Sequence, residues 1–198
     1  MIEYIEDEHL YVWDGVIVPS VTQVVGHAVG ANYSGVPAAV LAAKAAYGTA
    51  MHEWCEAWLN GTEMPLTDQD AQESAEQFKA ICTEHGVKLL LNECIVGWRH
   101  RVCGRFDILA NVGGKITLID IKTNAKFPEE YLRLQLSTYA LAVNETLGIT
   151  VDALAAIWLP KKRKAKWVDI DAYKMPVVLS MVNDYAISNA ETETVLPY

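Results

Sequence analysis

Apolar and polar positions alternate from about residue 3 to residue 18, and the alternation is broken at Asp14-Gly15. A period of two puts one side of a strand in a core and the other in water, and Asp-Gly supplies the positive φ angles of a tight turn. The segment therefore predicts a β-hairpin. Pro19-Ser20-Val21-Thr22 follows, with Ser20 placed to cap a short helix. Residues 30–36 carry two glycines among polar neighbours and predict a loop. The alanine-rich run from Pro37 to Tyr47 predicts a helix with Pro37 at its first turn. Gly48-Thr49 reads as a stop and a new cap, which starts a second helix over about Thr49 to Asn60, ending at Gly61. A third spans about Asp68 to His85 and ends at Gly86.

The pattern then changes. Residues 87–97, 101–111 and 115–122 are rich in Val, Ile and Leu and predict three strands. Gly113-Gly114 is a turn signal between the second and third. A long helix over about Pro128 to Leu147, strands over Val151 to Leu159 and Lys166 to Ile170, and a last helix over about Tyr173 to Asn189 complete the chain. Strands interleaved with helices predict an α/β fold, a central mixed sheet flanked by helices. The 198 residues suffice for one sizeable domain and are too few for two ordinary ones. The expected division is an N-terminal hairpin and helices over about 1–86, a core over about 87–170 and a C-terminal helix over about 173–189.

Composition, 52% hydrophobic and 21% charged, is that of a globular chain. No apolar run reaches membrane-spanning length, and Met1-Ile2-Glu3-Tyr4 lacks the basic-then-apolar start of a signal peptide. The expectation is a soluble cytoplasmic protein with no membrane partner. Cys55, Cys82, Cys94 and Cys103 include no CxxC pair, so they read as free thiols rather than a metal site. The net charge of −9 taken alone argues against nucleic acid as a partner. Its distribution changes that picture. Residues 1–97 hold 3 basic and 14 acidic side chains, residues 98–174 hold 13 and 8, and residues 175–198 hold none and 3. The basic residues gather where the candidate chemistry lies.

That chemistry begins with Gly104-Arg105-Phe106-Asp107 and Asp120-Ile121-Lys122. Residues two apart on a strand share a face, so Asp120 and Lys122 project together while Ile119 and Ile121 point into apolar packing. Asp107, on the preceding strand of a tight meander, can come alongside Asp120. Paired carboxylates repel unless a cation sits between them, and hard divalent ions favour such oxygen ligands. A neighbouring lysine can hold a phosphate or position water. The set suits metal-assisted phosphodiester hydrolysis. Taken singly, Asp-x-Lys could equally be a solvated pair on an edge strand. Two further pairs share helix faces: His52 with Glu56, and Gln135 with Tyr139.

Four motifs in order now resemble RecB-type members of the PD-(D/E)XK nuclease superfamily, in a phage-exonuclease-like branch. They are Gly48-Thr49-Ala50-Met51-His52, Gly104-Arg105-Phe106-Asp107, Asp120-Ile121-Lys122 and Gln135-Leu136-Ser137-Thr138-Tyr139. Pro19-Ser20-Val21-Thr22 resembles the opening of many phage-encoded members. The resemblance covers about residues 19–160. It implies a restriction-endonuclease-like core. It also implies metal ligation by His52, Asp107, Asp120 and the backbone carbonyl of Ile121, with Lys122 stabilising transition-state charge. Gln135 and Tyr139 would support the site and touch the nucleic-acid backbone. Glu56 and Glu93 could support a ligand without touching the ion, or be structural. Arg105 could bind nucleic acid or balance the carboxylates. Lys161, Lys162, Arg163 and Lys164, with Trp158 or Trp167 as a stacking face, could track phosphates or form a solvated turn.

The resemblance further implies Mg²⁺ or Mn²⁺ as cofactor, and the histidine ligand leads us to expect Mn²⁺ to serve at least as well. Some members hold an iron–sulfur cluster on cysteines that lie largely after the Gln-x-x-x-Tyr helix. This chain has no cysteine beyond Cys103, so no cluster is expected. The implied activity is a DNA exonuclease of phage-type recombination or repair, in a bacterial or phage-infected cell. DNA, a recombination or annealing protein and a second copy of the chain are the partners it admits. A structure-selective endonuclease and a non-catalytic nucleic-acid-binding module are the competing expectations. The intact His52, Asp107, Asp120 and Lys122 set argues against the module.

Overall fold

The computed structural model describes residues 1–30 and 35–193, so the loop expected over 30–36 lies partly outside the described residues. The N-terminal alternation folds as three antiparallel strands rather than two: β1 (Ile2–Ile5), β2 (Leu10–Trp13) and β3 (Val16–Val18). Asp14 and Gly15, with φ of 49° and 83°, make the expected turn between β2 and β3. The polar run Glu6-Asp7-Glu8-His9 makes the other turn, which the alternation alone did not separate. Ser20 caps α1 (Val21–Ala28): its side chain accepts from the Gln23 amide, and the Gln23 side chain returns the bond to the Ser20 amide.

The two helices expected over 37–60 are one, α2 (Ala38–Leu59). Gly48 does not stop it. An added Cβ at that position would lie 3.3 Å from Thr123 Oγ1. The glycine therefore permits a close approach to the chain leaving the sheet, and packing overrides the local stop signal. α3 (Gln69–Glu84) is capped by Asp68, whose carboxylate accepts from the Ala71 amide at 2.9 Å.

The main sheet holds β4 (Lys88–Trp98), β5 (Val102–Val112), β6 (Lys115–Lys122), β7 (Ala153–Trp158) and β8 (Lys166–Ile170), in that spatial order. β6 and β7 run parallel and the other pairs antiparallel. The parallel step needs a crossover, and α4 (Glu129–Leu147) supplies it. α5 (Met175–Glu193) closes the described chain. One apolar layer packs α1, α4 and α5 on the sheet through residues such as Val24, Leu136 and Val178. The other packs α2 and α3 through Met51, Trp54 and Phe78. A mixed sheet flanked by helices is thus the architecture. Among the described residues no helix is long and apolar enough to cross a membrane.

Candidate active site

Strict alternation would put Phe106 and Ile108 of β5 on one face. Instead Phe106 packs in the layer of α1, α4 and α5, and Ile108 in the layer of α2 and α3. β4 behaves alike: Cys94 and Leu91, three apart, share one layer. Both strands turn over where Glu93 lies between the pairs Cys94–Phe106 and Asn92–Ile108, hence opposite Asp107. Glu93 has φ of 48°, a conformation few non-glycine residues adopt. Irregularities of this kind re-aim side chains and gather at functional sites. Here the irregularity turns two carboxylates toward α2, where His52 waits. One ligand atom from each of His52, Glu93 and Asp107 lies within 4.8 Å of the others.

Each member of the cluster has a defined neighbour. Asp107 Oδ2 accepts from the Ile121 amide at 2.7 Å and lies 3.5 Å from His52 Nδ1. Glu93 Oε2 is 2.9 Å from Arg105 Nε. Burial, with the Asp107 charge adding to it, pushes the Glu93 carboxyl up to about 7, against the opposing pull of Arg105. A carboxylate so disfavoured is one that a cation would relieve.

Asp120 lies beside this group, 2% exposed. Its Oδ2 is 2.6 Å from Lys122 Nζ. No donor besides Lys122 among the described residues meets that oxygen. Burial raises the Asp120 carboxyl to about 6 despite the lysine, and Asp107 pushes it the same way. Asp120 and Asp107 hold Lys122 above its usual range against its own burial. Gln135 and Tyr139 are both buried on α4 beneath the sheet. Gln135 Oε1 has no partner among the described residues. Tyr139 lies over Gly104, where a Cβ would meet its hydroxyl oxygen at 2.7 Å.

A cleft of about 540 Å³ opens onto the cluster, lined by His52, Glu93, Arg105, Asp107, Glu56 and Glu6 among others. Thr49 and Glu53 also face it. Positions 49, 52, 53 and 56 follow the i, i+3, i+4, i+7 spacing of one helix face, so that periodicity could have found them. Glu6 comes from the β1–β2 turn and carries no such signal. The signal for Glu93 was strand register, counted back from the β4–β5 turn. Among the described residues, five carboxylates against one guanidinium make the cleft a seat for cations rather than for a bare phosphate.

The basic run after β7 is placed elsewhere. Lys161 reaches Asp70 at 3.1 Å and Asp68 at 3.5 Å, and Lys162 is 3.7 Å from Asp70. Arg163 donates to the Ala125 carbonyl and lies over the Trp158 ring. Lys164 is exposed. Trp158 donates to the Asn124 carbonyl, so this loop braces the chain that leaves Lys122. Trp167 stacks on His85.

The donor set fits a divalent ion. One imidazole and two carboxylates converge, and beside them lies a buried carboxylate oxygen that meets no donor but Lys122 among the described residues. The family model described as the PD-(D/E)XK nuclease superfamily matches residues 70–193. No curated protein matches. Among solved structures, the crystal structure of SSO0001 is similar over 58% of this chain, with 12% identity and a TM-score of 0.37. The match takes in 56% of that structure's own chain.

Proposed function

The chain belongs to the PD-(D/E)XK nuclease superfamily, and on that premise we propose that it is a divalent-metal-dependent deoxyribonuclease acting as an exonuclease of the RecB-type, phage-like branch. The observation that carries the reading is the convergence of His52, Glu93 and Asp107 beside the Asp120–Lys122 pair. His52, Asp107, Glu93 and Asp120 would hold the ion, with the Ile121 carbonyl as a further donor. When bound, the ion would acidify a water and neutralise charge on the phosphate and the leaving oxygen. Lys122 keeps its proton beside Asp120 and offers it to a phosphate oxygen as charge develops. The Ile121 amide fixes Asp107, and Arg105 fixes Glu93. Gln135 and Tyr139 hold the strands from below. The exonuclease branch, with a role in recombination or repair, is supported by the resemblance that the four motifs, in their order, bear to RecB-type nucleases.

The test is degradation of end-labelled linear duplex and single-stranded DNA beside closed circular DNA, with Mn²⁺, Mg²⁺ or EDTA. The expected result is metal-dependent loss of the linear substrates, spared circles, Mn²⁺ at least equal to Mg²⁺, and no activity in Asp120→Ala or Lys122→Ala. Cutting of the circle would replace exonuclease by endonuclease. Intact DNA with every metal would refute the enzymatic reading.

A further inference from the structure

A second cleft, of about 800 Å³, adjoins the first across Gly48, which lines both. Its other walls are the N-terminal half of α2, the chain just after Lys122, and Lys161. The two clefts have opposite chemistry. The first is crowded with carboxylates. The second is lined by Val40, Ala43, Tyr47 and other apolar groups, with Lys44, Lys161 and, among the described residues, no acidic side chain. Lys161 lies over the Tyr47 ring at 4.8 Å, and the Tyr47 hydroxyl is fixed to Ser74 Oγ at 2.9 Å. Lys44 has no ion-pair partner among the described residues, and it is exposed. The floor is held as well, since Trp158 and Arg163 bind the Asn124 and Ala125 carbonyls.

We infer that this cleft seats the nucleobase of the nucleotide next to the phosphate held at the metal cluster. The inference rests on the nuclease reading for where that phosphate lies. A nucleic-acid strand alternates flat apolar bases with anionic linkages, and the surface alternates in kind: cation-binding cluster, apolar cleft, exposed lysine. The volume falls within the roughly 300–1,000 Å³ of small-molecule clefts, ample for one base. Gly48 carries no side chain at the boundary of the two clefts, and a Cβ there would stand 3.3 Å from Thr123 Oγ1. A base can enter such a cleft only when unpaired, so the site favours a single-stranded or frayed strand end over intact duplex. Lys44 would meet the next phosphate along the strand.

The experiment uses the full chain with Ca²⁺ in place of Mg²⁺ and fluorescently labelled single-stranded oligodeoxynucleotides of about 12 nucleotides, each with one abasic position. Anisotropy gives the affinity. The expected result is one abasic position that weakens wild-type binding about 5- to 150-fold, the range of one stacked base. Ala43→Phe fills the cleft and should weaken the intact oligonucleotide equally and become indifferent to that abasic position. Ala42→Phe, the same change on the same helix outside the cleft, should bind as wild type. Thermal melting checks that both variants fold, and the wild-type abasic scan stands without either. A flat abasic scan would overturn the proposal, as would a folded Ala43→Phe that binds like wild type. So would Ala43→Phe altering self-association and not oligonucleotide binding, which would assign the cleft to a second copy. Cleavage assays with Mn²⁺ on the same set separate the two readings. Position-dependent binding without cleavage sinks the nuclease, whereas cleavage with a flat scan sinks only the base seat.

Discussion

Replacing Gly104 by alanine tests how the site is supported. Gly104 is buried on β5, three residues before Asp107. The new methyl would fall 2.7 Å from Tyr139 Oη, 2.8 Å from its Cε1 and 3.1 Å from its Cζ. Comfortable separation is about 3.5–4.0 Å, so ring or strand must move by about 1 Å. Tyr139 is 3% exposed and packs in the same cluster as Leu136, Ala142 and Val143, so the ring cannot swing into solvent. Overpacking of this kind costs about 1–3 kcal/mol. At this chain length each kcal/mol lowers Tm by about 2–4 °C, so a fall of roughly 2–12 °C is expected in calorimetry. Tyr139→Leu removes the colliding atoms. The double variant should therefore be more stable than the two single costs together imply, by about 1–2 kcal/mol. Cleavage by Gly104→Ala should fall about 100-fold, because an ångström of misplacement at a ligand is costly. An unchanged Tm, or single costs that add, would refute the account of Tyr139 as a fixed support.

Lys122→Ala leaves Asp120 buried without its counter-charge, which costs about 3–5 kcal/mol. Denaturant titration at pH 8 should show this loss, while Asp120→Asn with Lys122→Met should recover most stability and no activity. Glu93 is raised from 4.5 to about 7, so the folded state holds its proton more tightly than the unfolded state does. Its stabilising effect is complete below about pH 4.5 and is lost as pH rises through about 7. Screening at a partly open site reduces this to about 1–2 kcal/mol. Metal-free protein should therefore lose this increment between pH 5 and 8, Glu93→Gln should remove that loss, and added Mn²⁺ should raise Tm more at pH 8 than at pH 5. A metal effect equal at both pH values would count against Glu93 as a ligand. Ser20→Ala breaks the capping box of α1 and should cost about 1 kcal/mol, read as a small Tm decrease with unchanged cleavage.

The sequence made the sheet readable because its signals there are local and agree. Gly113 and Gly114 both take positive φ, and the register Ile108–Ile119 through Val112–Lys115 follows from that turn. Extending it brings Asp107 opposite Asp120. The helix face at His52 and Glu56 was equally legible. Gly48 was misread because a glycine needed for tertiary approach to Thr123 carries the same letter as a helix stop. Register counted back from the β4–β5 turn sets Glu93 opposite Asp107, but the backbone irregularity that turns it toward α2 breaks the alternation, and no residue type announces that. The pairing of Lys161 and Lys162 with Asp68 and Asp70 was hidden for another reason. Those partners lie some 90 residues apart, and a basic run looks the same whether its charges face a polyanion or an acidic helix start.

The acidic cleft dictates a sequence of events. Glu6, Glu53, Glu56, Glu93 and Asp107 surround the cluster, so a polyanion arriving first meets a repelling field. An ion arriving first meets an attracting one and reverses the local sign for whatever follows. Under the nuclease reading, binding is therefore ordered, with the cation compulsory and leading. Initial rates over a grid of metal and oligonucleotide concentrations should show the metal needed for half-maximal rate falling as DNA saturates, while saturating metal leaves the DNA dependence in place. Raising the salt should then weaken capture of the ion as well as of the strand.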